Sequence, residues 1–252
     1  MPQPGIHALL ALMTRKAAPR QPLFFLGVIF GTFIPELDGY LHLIGIFTGM
    51  PYREAVGLYE RTITHSLFFA AGVLLLVLVV GRLRRRPDTP IFAAGLAVGM
   101  IFIHILVDVF FWFETIGLLW PFWSVNLWGW VHLPIQVIHV LEAANYFAFA
   151  MYFIGLIYIT RRNSLAHGFH IRLRQFTGLM VTVGVLFTLL AITRPPAEFR
   201  IFNDCALLLF AYPMALWVTW KLRHALLQPR HTHTRHSSER HVPMEWLDVD
   251  WG

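Results

Sequence analysis

A single cysteine, Cys205, occurs in the whole chain, which excludes an intrachain disulfide and a thiolate zinc site within one copy. Charge is scarce too. Only 13% of the residues are charged against 57% hydrophobic, a balance that excludes an ordinary water-soluble globular domain. No internal repeat is visible, which argues against a carrier built from paired, repeat-related broken helices. No cleavable leader is expected, because the first apolar stretch is short and Arg15, Lys16 and Arg20 precede the first long run. The formal charge of +6 is not a nucleic-acid footprint, since Lys and Arg fall in short clusters between apolar runs.

What the chain has instead is long apolar runs. About 20 apolar residues cross a hydrocarbon core of ~30 Å, and residues 91–113 satisfy that length. Spans are also expected at 22–34 (short or tilted), 65–81, 135–160, 176–193 and 204–222, the last interrupted by Pro213. Residues 5–13 read as a short amphipathic segment carrying His7, and 40–50 as an interfacial or re-entrant piece too short to span. Gly27 and Gly31, like Gly95 and Gly99, have the spacing that lets two helices approach closely. Residues 114–134 read as a loop rich in tryptophan, as interfacial belts are.

Basic clusters at 15–20, 82–86, 161–174 and 221–240 alternate with connections at 35–63, 114–134 and 194–203 that are poor in Lys and Arg. The positive-inside rule then predicts about six spans with both termini in the cytoplasm. The expected fold class is an all-α polytopic transmembrane helix bundle over residues 1–225, followed by a disordered, His-rich cytoplasmic tail at 226–252.

Polar residues inside this scheme are few, and they converge on the non-cytoplasmic end. Within 91–113, His104 and Asp108 are four apart and share a helical face. A carboxylate inside a span costs roughly 2.5–3.5 kcal/mol on insertion scales, so it faces a partner, a cavity or an ion. Glu36 and Asp38 follow Pro35 at the mouth of the first span, either as capping acids of a turn or as metal ligands. His65 opens its own span, and Ser66 beside it reads as a helix-start residue. Together Asp38, Glu36, His65, His104 and Asp108 suit a divalent cation, zinc first, with manganese or iron also compatible with mixed imidazole and carboxylate donors. His139 and Glu142, three apart on the fourth span, are candidates to support that site or to pair with each other in helix packing. His42 and His132 read as interfacial, and the histidines of the tail as solvated.

Over residues 5–125 the chain resembles the YdjM-type membrane-bound metal-dependent hydrolases. The residues that carry the resemblance are His7, Gly31-Thr32-Phe33-Ile34-Pro35-Glu36-Leu37-Asp38, Glu60-Arg61-Thr62-Ile63-Thr64-His65-Ser66, and His104-Ile105-Leu106-Val107-Asp108, with Gly117 and Pro121 beyond them. Two positions depart from the family pattern: Glu36 stands where an Asp is usual, and Glu60 where a His precedes the arginine. The resemblance implies hydrolysis by a metal-activated water at the surface of a bacterial inner membrane. The substrate, a phospholipid or other lipid-linked ester, is suggested by the position of the site at the membrane–water boundary and not by the resemblance. The resemblance also implies His7 as a metal ligand, which conflicts with a cytoplasmic placement of residues 5–13. In such a mechanism Glu36 or Glu60 would take the proton, and Arg61 would hold an anionic group unless it only meets lipid headgroups. The rival readings are an ion- or proton-coupled transporter using His104, Asp108 and Glu142, and a non-catalytic membrane scaffold.

Overall fold

The structure is a computed structural model that describes residues 3–16, 21–161, 164–193 and 196–227. The tail expected to be disordered from residue 226 lies, beyond Leu227, outside the described residues. The described chain is a helical bundle with one small hairpin. In chain order it runs α1 (Pro4–Met13), α2 (Pro22–Phe33), α3 (Asp38–Phe47), α4 (Tyr52–Tyr59), α5 (Leu67–Leu83), α6 (Thr89–Ala97), α7 (Leu106–Phe111), β1 (Ile116–Leu119), β2 (Trp123–Val125), α8 (Ile135–Thr160), α9 (Ser164–His167), α10 (His170–Thr193), α11 (Pro196–Ala206) and α12 (Tyr212–Leu227).

Among the described residues, five helical runs are long and apolar enough to cross a membrane: Pro22–Phe47, Thr89–Phe111, Ile135–Thr160, His170–Thr193 and Glu198–Leu227. Leu67–Leu83 is apolar but shorter, at 17 residues. The first run corrects the sequence reading, in which 22–34 was a short span and 40–50 a separate interfacial piece. A 3-10 turn over Ile34–Leu37 joins α2 to α3. Pro35 stands at the start of that turn, where a missing N–H costs nothing. The proline therefore passes the helix on instead of ending it, and Glu36 and Asp38 lie in mid-run rather than at a mouth.

The core is built by α1, α2, α8, α10 and α12, around Phe25, Phe33, Phe149, Tyr152, Phe153 and Tyr212. Large apolar side chains such as Leu75, Leu76, Phe111, Leu189 and Ile192 point outward. A surface of that kind would aggregate in water and suits a lipid solvent. The segment 5–13 is no surface helix: His7, Ala8, Ala11 and Leu12 of α1 are buried, and α1 packs on α8 and α2.

Two features set the site. First, α2 meets α6 and the segment directly after it through glycines, as their spacing predicts. A Cβ on Gly99 would overlap the Val28 carbonyl oxygen, and one on Gly31 the Leu96 carbonyl oxygen, so the backbones touch there. Second, Val98–Ile105 between α6 and α7 is a π-helix that contains His104. The wider turn re-aims that side chain relative to a plain α-helix, a local distortion frequent at functional sites. The loop 114–134 contains the hairpin β1–β2, closed across a cis Trp120–Pro121 bond.

Candidate metal centre

Four separate segments deliver the polar cluster: α1 brings His7, the 3-10 turn and the start of α3 bring Glu36 and Asp38, the approach to α5 brings His65, and the π segment with α7 brings His104 and Asp108. Ser66 caps α5, its Oγ accepting the Phe68 N–H at 3.2 Å, which fixes where His65 leaves the helix. The Thr64 hydroxyl donates to the Pro35 carbonyl and ties the His65 segment to the 3-10 turn.

The three imidazoles are oriented alike. His7 Nδ1 donates to the Ile103 carbonyl at 3.0 Å, and His104 Nδ1 to the Thr32 carbonyl at 2.7 Å. A carbonyl can only accept, so each Nδ1 carries a proton, and in the neutral ring each Nε2 presents a lone pair. His65 Nδ1 donates to Asp38 Oδ2 at 2.9 Å, which turns its Nε2 inward as well. The inward atoms crowd one place. His65 Nε2 lies 3.1 Å from His104 Nε2 and 3.3 Å from Asp108 Oδ2. His7 Nε2 lies 3.0 Å from Asp108 Oδ1, and His104 Nε2 is 3.8 Å from both Asp108 Oδ2 and Glu36 Oε1. The His7 and His104 rings stack at 3.8 Å.

Two triplets, His7–Glu36–His104 and His65–His104–Asp108, each place their ligand atoms within 4.8 Å of one another, and all of these residues are buried. Donors about 2.1 Å from a common ion in tetrahedral array stand ~3.4 Å apart, close to the spacings found. The donor set, imidazole nitrogen with carboxylate oxygen, is the one zinc takes readily. The residues therefore fit a divalent ion.

His7, Glu36, His65, His104 and Asp108 are brought together, His7 because α1 folds into the bundle. Asp38, expected as a ligand, is placed behind His65 as the acceptor that orients it. Glu36 Oε1 accepts the Gln3 backbone N–H at 2.8 Å. Glu60 stands outside the cluster, with Oε1 3.6 Å from Arg61. Arg61 is buried, so it is not an interfacial arginine on lipid headgroups, and its Nε donates to Asp108 Oδ2 at 3.3 Å.

His139 and Glu142 belong elsewhere. His139 stacks on Phe199 at 4.3 Å, and Glu142 Oε1 lies 3.6 Å from Arg200. Nearby, Asp204 Oδ2 accepts from His42 Nε2 at 3.2 Å and from Tyr52 at 3.0 Å. His42 is thus buried and paired rather than interfacial, while His132 is exposed in its loop. Sequence reasoning missed Asp204 and Tyr52, which meet His42 only through tertiary packing. It also missed the Thr32 and Ile103 carbonyls, which no side-chain motif signals.

A cleft of about 810 Å³ opens beside the cluster, lined by Glu60, Arg61, Thr62 and Glu114 and by Trp120, Phe122 and Trp123 of the hairpin. Partial burial alone would raise the Glu114 carboxyl, but positive charge around it, Arg61 foremost among the side chains, outweighs this and holds it at about 2. Glu114 Oε2 accepts from Arg61 at 3.0 Å.

A family model described as YdjM inner membrane protein matches residues 4–193. No curated protein and no solved structure matches the chain.

Proposed function

The chain belongs to the YdjM inner membrane protein family, an integral inner membrane protein, and from that premise we propose that it is a metal-dependent hydrolase acting on a phospholipid or another lipid-linked ester. The observation that carries this reading is the shared orientation of His7, His65 and His104: every Nδ1 is tied to an acceptor and every Nε2 faces Asp108 or Glu36. Histidines held that way around a carboxylate are arranged for a cation rather than for packing. His7, His65, His104 and Asp108 would hold a divalent ion, zinc by donor type. Bound there, such an ion lowers the pKa of a water and polarises a carbonyl or phosphoryl oxygen.

The chain's own residues supply the rest. Asp38 keeps His65 in one tautomer, and the Thr32 carbonyl does so for His104. Glu36, 3.8 Å from His104 Nε2, is the acid placed to accept a proton. Glu60 lines the cleft instead. The aromatic wall of the cleft, Trp120, Phe122 and Trp123, suits the acyl-proximal part of an amphiphile at the membrane boundary. On the positive-inside reading this cleft faces the non-cytoplasmic side.

The test is hydrolysis of a fluorogenic phospholipid in nanodiscs carrying the purified protein. The reading expects activity that chelation removes, zinc restores, and Asp108→Asn or His65→Ala abolishes. Activity untouched by chelation and by both substitutions would contradict it.

A further inference from the structure

A guanidinium beside a candidate active site invites the role of anion holder, because its planar fork pairs phosphate and carboxylate. The surroundings of Arg61 point another way. Its side chain is 3% exposed, and its Nε lies 3.3 Å from Asp108 Oδ2. NH1 donates to Glu114 Oε2 at 3.0 Å and stands 3.6 Å from Glu60 Oε1. The guanidinium lies over the Trp112 ring at 4.7 Å. The backbone is committed as well: φ is 54°, in the left-handed region that L side chains seldom adopt, and the carbonyl accepts the Gly117 N–H of the hairpin at 2.8 Å.

We propose that Arg61 is a positioning residue: it holds Asp108 against the histidine cluster and does not bind substrate. This rests on the metal-centre reading above. Asp108 must offer one oxygen toward His7 and the other toward His65 and His104. Arg61 approaches the second oxygen from outside the cluster and sets the plane of the carboxylate. Three carboxylates, Asp108, Glu114 and Glu60, already stand around this one guanidinium. An incoming phosphate would have to displace one of them and face the other two at close range.

The residue type follows from the same geometry. A lysine could neutralise Asp108 but could not reach Asp108 and Glu114 together or lie flat on Trp112. Arg61 thereby couples the cleft wall, through Glu114 and Gly117, to a ligand of the centre.

The experiment titrates chelator-stripped, full-length protein in nanodiscs with Co²⁺, reading affinity and the visible absorption of the bound ion, and in parallel with inorganic phosphate. The proposal expects Arg61→Gln to weaken Co²⁺ binding about 10–100-fold, the range for groups that orient a ligand, and to alter the spectrum. It expects Arg61→Lys to recover part of the affinity, and any phosphate binding to be equal in wild type and Arg61→Gln. Should Arg61→Gln not fold, Arg61→Lys carries the test, with a smaller loss of affinity and the same change of spectrum. Wild-type Co²⁺ affinity and spectrum in the substituted protein, or loss of a phosphate affinity that the wild type has, overturns the proposal and leaves the metal centre standing. No Co²⁺ binding by the wild type overturns both.

Discussion

His65 and His104 face each other through their Nε2 atoms at 3.1 Å, each with its Nδ1 already bonded to an acceptor. Two lone pairs at that distance repel unless a proton or a cation lies between them. The residues around the pair decide which. Asp108 and Glu36 add negative charge from two sides, and His7 adds a third inward nitrogen. One proton joins two of these groups, whereas a single divalent cation could be shared by each triplet of them.

Asp38→Asn tests whether that orientation is imposed from behind. With an amide in place of the carboxylate, the His65 Nδ1–H keeps only a neutral acceptor, and the hold that turns its Nε2 inward weakens. Zinc affinity should fall about 10–100-fold while the protein stays folded. Competition with a chromophoric chelator measures it. An unchanged affinity would show that Asp38 does not orient His65.

The glycine contact between α2 and the π-helix that follows α6 makes a paired prediction. Gly99→Ala drives a Cβ into the Val28 carbonyl, and neither backbone can yield cheaply. It should cost about 1–3 kcal/mol, typical of overpacking, and weaken zinc binding because His104 rides on the same segment. Gly72→Ala meets nothing within 4 Å and should be neutral or stabilising, by up to about 1 kcal/mol from helix propensity. Thermal melts of both variants in detergent decide it. Equal effects would mean that the close approach is not what limits residue 99.

How far these features can be read from the residues alone depends on the forces that set them. The long apolar runs announce the bundle, because lipid leaves the backbone no choice but internal hydrogen bonding. His104 and Asp108 announce a site through their spacing and their cost in a membrane. His7 does not. Its segment is short and lies beside basic residues, and only packing against α8, where Gly5 meets the Asn145 carbonyl, carries it inside. Pro35 misleads in the other direction, because a proline that usually stops a helix here begins a 3-10 turn. The Asp204–His42 pair joins positions 162 residues apart, a contact that local pattern cannot encode.

Glu114 offers a pH test of the link between cleft and cluster. Its folded carboxyl lies at about 2, below the ordinary value of 4.5, so the stability it contributes is complete above the unfolded value. That contribution is lost as pH falls from about 4.5 toward 2. The difference in melting temperature between wild type and Glu114→Gln should therefore be constant from pH 6 to 8 and shrink below pH 4.5. A difference that grows on acidification would contradict the pairing with Arg61.

The most direct measurement is the metal content of protein purified without added metal and then equilibrated with zinc and desalted, for wild type and His104→Ala. His104 belongs to both ligand triplets, so its removal disables either arrangement. The account predicts a near-stoichiometric divalent ion in the wild type and less than about a tenth of that in the variant. A wild type that retains no metal, or a His104→Ala protein that retains all of it, would contradict the account.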